Sequence, residues 1–125
     1  MNLIDSSAWL EYFAAGPRAD QVAPTIENVA NVLVPTIVLV EGCRRVMQQR
    51  GEDEALQVAA VLHQGQVVAL DSGIALSAAQ LGVSQTVPLA DSIIFAKAKQ
   101  YGATIWTLDA DCSGLPGVRY FPRRK

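Results

Sequence analysis

Ala103–Asp111 reads ATIWTLDAD, and its two halves differ in kind. Ala103–Leu108 has the apolar, β-branched and aromatic composition of a strand buried on both faces of a sheet. Asp109 and Asp111 then supply two carboxylates where that strand should end. A buried strand that runs out into acids presents charge at the carboxyl edge of an α/β sheet, the edge at which open parallel sheets bind ligands. The fold turns on whether other short apolar runs end the same way.

Upstream, Leu89–Tyr101 reads as a helix opened by Pro88, where a missing N–H does no harm, and stopped by Gly102. Ser72–Gln85 reads as an alanine-rich helix capped by Asp71, behind a short strand at Val67–Leu70. Glu52–Gln64 is a helix with its acids at the N-terminal end, as the helix dipole favours. Before it, Thr36 is expected to cap a helix that carries Ile37–Val40, then Glu41, and runs to Gly51. Val32–Val34, closed by Pro35, reads as a strand, and Ala19–Asn28 as a helix. Asn2–Ile4 is a strand that hands over at Asp5 to a helix capped by Ser6 or Ser7, which runs through Phe13 and stops at Gly16-Pro17. Downstream, Ser113–Gly117 is a loop and Val118–Phe121 a last strand. Short apolar strands alternating with helices predict an α/β fold, a short parallel sheet flanked by helices on both faces.

A chain of 125 residues fits one domain with a single hydrophobic core. Half its residues are hydrophobic and 18% charged, so it folds rather than staying disordered. A net charge of −2 argues against broad, nonspecific adhesion to nucleic acid or membrane. Cys43 and Cys112 form no paired motif and are expected as reduced thiols, with Cys43 packed in the core. The first residues lack a basic leader, and no run approaches the ~20 apolar residues of a membrane span, so a cytoplasmic protein is expected.

Most of the acids have ordinary places. Glu52, Asp53 and Glu54 favour a helix start, and Glu11, Asp20 and Glu27 read as solvated faces. Asp5 and Asp109 each end a strand, and in a doubly wound sheet two such ends on either side of the switch point meet in one crevice. Asp91 heads a stripe formed by Ile94, Phe95 and Ala98, so it faces inward. Glu41 follows four consecutive apolar residues inside a helix, with Ile37 and Val38 one turn before it. Each acid alone has a plain reading: Asp5 as a capping aid, Asp91 at the helix dipole, Glu41 as an i+4 partner of Arg45. Asp111 reads as the cap of a short following turn or as a further acid. Together, four carboxylates in a partly desolvated crevice repel strongly or take up protons. A divalent cation relieves that, and oxygen ligands without Cys or His at ligand spacing favour Mg²⁺ or Mn²⁺ over Zn²⁺.

Asp5-Ser6-Ser7 after a short strand, Glu41 inside the third helix, Pro88-Leu89-Ala90-Asp91-Ser92-Ile93-Ile94 opening a helix, and Thr107-Leu108-Asp109-Ala110-Asp111 after a strand come in an order and spacing that resembles the PIN-domain ribonucleases. Among these they are similar to the VapC-type toxins of toxin–antitoxin pairs. The resemblance spans essentially the whole chain and implies a single PIN domain over residues 1–125. It implies that Asp5, Glu41, Asp91 and Asp109 form an acidic quartet holding Mg²⁺ or Mn²⁺, with Glu41 acting directly or through water. Asp111 matches a further acid of some members, and Ser6 and Thr107 fall at supporting polar positions. Cys112 stands where the family usually has phenylalanine, a change expected to touch packing more than chemistry.

The implied reaction is hydrolysis of an RNA phosphodiester (in tRNA, rRNA or mRNA) by a metal-activated water, leaving a 5′-phosphate and a 3′-hydroxyl. His63, the only histidine, reads as an ordinary helix residue. Arg44, Arg45 and Arg50, with Arg119, Arg123, Arg124 and Lys125, are the candidates for phosphate contacts. Few aromatics suit recognition of a folded RNA's shape. The family further implies a cognate antitoxin laid along a groove beside the site, and a homodimer. Trp9, Tyr12 and Phe13 crowd one short helix, as a contact surface or as core. A catalytically silent PIN-like module that binds RNA or protein is the alternative. An aspartyl phosphatase would want an acid where Ser7 stands, and a receiver domain an acid pair at the first strand.

Overall fold

The structure, a computed structural model, describes residues 1–122; the basic run Arg123, Arg124 and Lys125 lies outside the described residues. The strands are β1 (Asn2–Ile4), β2 (Val32–Pro35), β3 (Gln66–Val68), β4 (Thr104–Thr107) and β5 (Val118–Tyr120). Between them run α1 (Ser6–Phe13), α2 (Ala19–Glu27), α3 (Thr36–Arg50), α4 (Glu52–Leu62), α5 (Ser72–Gln85) and α6 (Leu89–Tyr101). The strands form one parallel sheet in the order β3-β2-β1-β4-β5. This is the expected α/β fold with helices on both faces. The central strands show why: Leu3, Ile4, Leu33, Val34 and Ile105 point to alternate faces and are all essentially buried.

Chain order fixes the switch point of the sheet. From β1 the chain winds outward to β2 and β3, then returns to the other side of β1 as β4 and β5. The switch point is therefore between β1 and β4, whose last paired residues are Ile4 and Trp106.

Element ends differ from the sequence expectation where a neighbour decides them. The third strand stops at Val68 because β2 ends at Pro35, its partner there, leaving Ala69 and Leu70 nothing to pair with. The fourth strand loses both ends: the Ala103 amide closes the C-terminus of α6 on Ala98 O, and the Leu108 amide bonds to Ser7 Oγ. The cap of α1 is Asp5 rather than Ser6 or Ser7, since its side chain reaches back to the Ser6 amide at 2.7 Å. Thr36 is the first residue of α3, behind Pro35. Asp71 caps α5 on the Ile74 amide, and Gly102 ends α6 with φ of 62°, both as expected.

The cysteines are free, as expected, but Cys43 is only half-buried on α3, whereas Cys112 is buried. The reason is that Cys112 sits on a 3-10 turn (Ala110–Cys112) folded back onto the carboxyl edge. The aromatics of α1 belong largely to the core, with Trp9 buried, Tyr12 and Phe13 half-buried, and all three in mutual ring contact. Among the described residues no helix is long and apolar enough to cross a membrane.

Candidate active site

Asp5 and Thr107 leave the carboxyl edge side by side, because the Asp5 amide continues the β1–β4 ladder on Trp106 O at 2.9 Å. Asp5 is only 5% exposed, yet its carboxylate is well supplied with donors. Oδ1 accepts from the Ser6 amide, and Oδ2 accepts from Thr107 Oγ1 at 2.7 Å and Ser7 Oγ at 3.0 Å. Thr107, fully buried, is the hub: its hydroxyl donates to Asp5 and accepts from the Asp109 amide at 2.9 Å. One hydroxyl thus ties the end of β1 to the end of β4.

Asp109 caps the 3-10 turn, accepting from the Asp111 amide at 3.0 Å. The reading of Asp111 as that cap is therefore corrected, since the carboxylate two residues earlier has the reach. The Asp111 side chain is exposed at the rim. Asp91 approaches from the first turn of α6 and is 8% exposed. Among the described residues no nitrogen or oxygen donor bonds to its carboxylate; the Cys112 thiol is the donor beside it. Glu41 comes from the second turn of α3, and its Oε1 is buried without a hydrogen-bond partner.

All four acids line one cleft of about 930 Å³, together with Ser6 and Ser7. Their charges act on each other. Asp91 is pushed up to about 6, first by burial and then by Asp109, Asp5 and Asp111. Glu41 is raised by burial and by Asp5, with Ser6 offsetting part of that and Asp91 and Asp109 adding to it. No salt bridge relieves them among the described residues, where Arg50 pairs with Glu54 at 3.6 Å and both are exposed. The arrangement suits a divalent cation: hard oxygen donors converge, one of them buried and unpartnered, and no salt bridge to a protein cation neutralises them among the described residues. Among the described residues, ligand atoms of Asp91, Asp109 and Cys112 lie within 4.8 Å of one another, with Asp5 and Glu41 outside that group.

Two residues were named in sequence without the part they play at the site. Ser7 links Asp5, Thr107 and the Leu108 amide, whereas Ser6 gives Asp5 its backbone N–H and sets its hydroxyl beside Glu41. Cys112 was expected to pack a turn, but its thiol lies against the carboxylates, and burial followed by the Asp91 charge raises its pKa strongly. The signal for Ser7 was its place two residues after a strand-ending acid; for Cys112 it was the departure from phenylalanine. Of the arginines, Arg45 and Arg50 line the cleft, while Arg44 is exposed and outside its lining. Arg119, on the edge strand β5, lies over the Trp106 ring at 5.3 Å.

Comparison with known proteins follows the same lines. A chain from a Klebsiella pneumoniae toxin–antitoxin complex superposes with a TM-score of 0.84 at 19% identity, covering 99% of this chain and 100% of that one. Mycobacterium tuberculosis VapC20, described as a sarcin-ricin-loop-cleaving toxin, gives 0.80 at 20% identity, covering 98% and 100%. A chain of DNA-bound VapBC from Salmonella typhimurium gives 0.70 at 18% identity, covering 97% and 98%. No curated protein sequence matches closely enough to count as a relative. At these identities the structures speak for the fold. The sequence itself matches the PIN domain model over residues 3–117. The chain belongs to the PIN-domain family.

Proposed function

We propose that the chain is a toxin-type endoribonuclease that hydrolyses RNA phosphodiesters with Mg²⁺ or Mn²⁺ and is neutralised by a cognate antitoxin. The observation that carries this reading is the convergence of Asp5, Glu41, Asp91 and Asp109 on one cleft without a neutralising cation among the described residues. The family supports it, as does the company of similar folds, one of them described as cleaving the sarcin-ricin loop and others as toxin–antitoxin complexes.

Asp5, Asp91 and Asp109 would hold the ion, with Glu41 directly or through a water. When bound, the ion offsets charge developing on the phosphate and makes an attacking water more acidic. Thr107 and Ser7 fix the Asp5 carboxylate, so this ligand does not reorganise when substrate arrives. Arg45 is the first candidate to hold a substrate phosphate, because it shares the cleft wall with the acids. Arg44, Arg119, Arg123 and Arg124 would add contacts further out. Purified protein freed of antitoxin should cut tRNA or total cellular RNA in Mn²⁺ and leave 5′-phosphate ends, with cleavage stopped by chelation. RNA left intact under these conditions would overturn the enzyme reading in favour of a silent binding module.

Beyond the acids the cleft continues between α1, α3 and α4, walled by Leu10, Phe13, Val46, Val58 and Val61 with Gln49 and Gln57 beside them. An amphipathic antitoxin segment fits that wall, with a basic residue reaching the acidic end. Such a pair works in the cytoplasm, where RNA and inhibitor meet. A homodimer has its own candidate face: Leu76 and Val83, seven residues apart on α5, are 74% and 84% exposed, and Leu89 nearby is 80% exposed. Leu76→Asp with Val83→Asp should convert a sedimenting dimer to a monomer that keeps its far-ultraviolet circular dichroism and whose melting temperature no longer depends on protein concentration. A wild-type protein that sediments as a monomer would overturn this.

A further inference from the structure

We infer that Cys112 gives the acidic cleft a second metal specificity, for a thiophilic divalent cation such as Zn²⁺ or Cd²⁺ held by Asp91, Asp109 and Cys112. One ligand atom of each residue lies within 4.8 Å of the other two. Tetrahedral Zn²⁺ with metal–sulfur near 2.3 Å and metal–oxygen near 2.1 Å wants donors about 3.3–3.7 Å apart, so side-chain rotations of an ångström or less close the set. Water fills the fourth position from the open cleft.

Burial points the same way. Asp91 is more than nine-tenths buried, and no nitrogen or oxygen donor meets its carboxylate among the described residues. Cys112 is 3% exposed and turned toward it, on a turn fixed by Asp109 itself. A hard ion such as Mg²⁺ has little use for sulfur, so the thiol stays protonated beside it. A soft ion displaces the proton: the S–H bond breaks, a sulfur–metal bond forms, and the proton leaves to solvent. The same cleft therefore holds two kinds of ion with different donor sets. Because the sets share Asp91 and Asp109, the soft ion excludes the hard one. Inhibition by that exclusion rests on the nuclease reading above; the binding itself does not.

Cadmium added to metal-free protein tests the binding directly, since a cadmium–thiolate bond absorbs in the ultraviolet. In the Cys43→Ser protein Cys112 is the sole thiol, and the charge-transfer band should rise to saturation at one Cd²⁺ per chain. Asp91→Asn in that background should weaken binding about tenfold or more, and Cys112→Ser with Cys43 intact should give no band at stoichiometric Cd²⁺. Absence of the band in Cys43→Ser, or its persistence in Cys112→Ser, overturns the proposal. If wild-type protein cuts RNA in Mn²⁺, about stoichiometric Zn²⁺ should stop it and Cys112→Ser should resist. Equal inhibition of both removes the thiol's role while leaving the nuclease intact.

Discussion

Asp91→Asn should abolish RNA cleavage and, in the same protein, raise stability in metal-free buffer at neutral pH. Losing a ligand of the proposed ion removes several kcal/mol of transition-state stabilisation, a fall of about a thousandfold or more in rate. The stability gain follows from the raised pKa. Asp91 stands at about 6 in the folded chain against an ordinary value of 3.8. The folded state thus holds this proton more tightly than the unfolded state does. The resulting stabilisation is fully present below pH 3.8 and is lost as pH rises through about 6, for a total of about 3 kcal/mol. Asparagine carries no charge to desolvate and escapes the loss. Stability of metal-free wild-type protein against heat should therefore fall between about pH 4 and pH 7, and Asp91→Asn should fall less, the remaining slope coming from Glu41, whose pKa is also raised. Mn²⁺ should restore much of the wild-type stability at neutral pH and do little for the variant. A variant no more stable than wild type at neutral pH without metal would contradict this account of the crowding.

Thr107→Val should be the most damaging substitution at the site that removes no charge. Valine matches threonine in shape, so packing around this fully buried position survives. What goes is a hydroxyl that donates to Asp5 and accepts from the Asp109 amide. Leaving a buried carboxylate short of a donor and a buried amide short of an acceptor costs about 2–4 kcal/mol. Loosening Asp5 and Asp109 together should lower kcat by about 10–100-fold, the range seen when groups that orient metal ligands are lost. Thr107→Ser keeps the hydroxyl and should recover most of kcat, while still losing some stability to the missing methyl. Urea unfolding and steady-state cleavage kinetics measure both. A valine variant with wild-type kcat would show that the hydroxyl holds the fold and not the carboxylates.

The sequence spoke clearly wherever one element explains one residue. Asp5 and Asp109 were legible because each breaks an apolar strand, and parallel strands carry their ends to a common edge. Asp91 and Glu41 were legible because each interrupts an apolar helical stripe, which marks the inward face. The contacts among these residues were another matter. The Thr107–Asp5 bond joins residues 102 positions apart and exists only because β1 and β4 are neighbours, which local patterning does not encode. Ser6 and Ser7 are indistinguishable by propensity; the turn of α1 aims Ser7 at Thr107. Asp111 and Asp109 compete for one cap, decided by the bend after Leu108. Cys112 reads as a small packing residue until the 3-10 turn points its sulfur at Asp91.

The neighbouring placement of β1 and β4 also governs when this cleft exists. Its acids come from positions 5, 41, 91 and 109, and the last arrives with the strand that completes the centre of the sheet. During synthesis the first strand waits, beside β2, for a partner made on the order of ten seconds later. Until then Asp5 has no Thr107 to orient it and no Asp109 to face. On the proposed reading, a nascent chain has no complete cleft until β4 has emerged and paired with β1, and an inhibitor made alongside it has that interval in which to arrive.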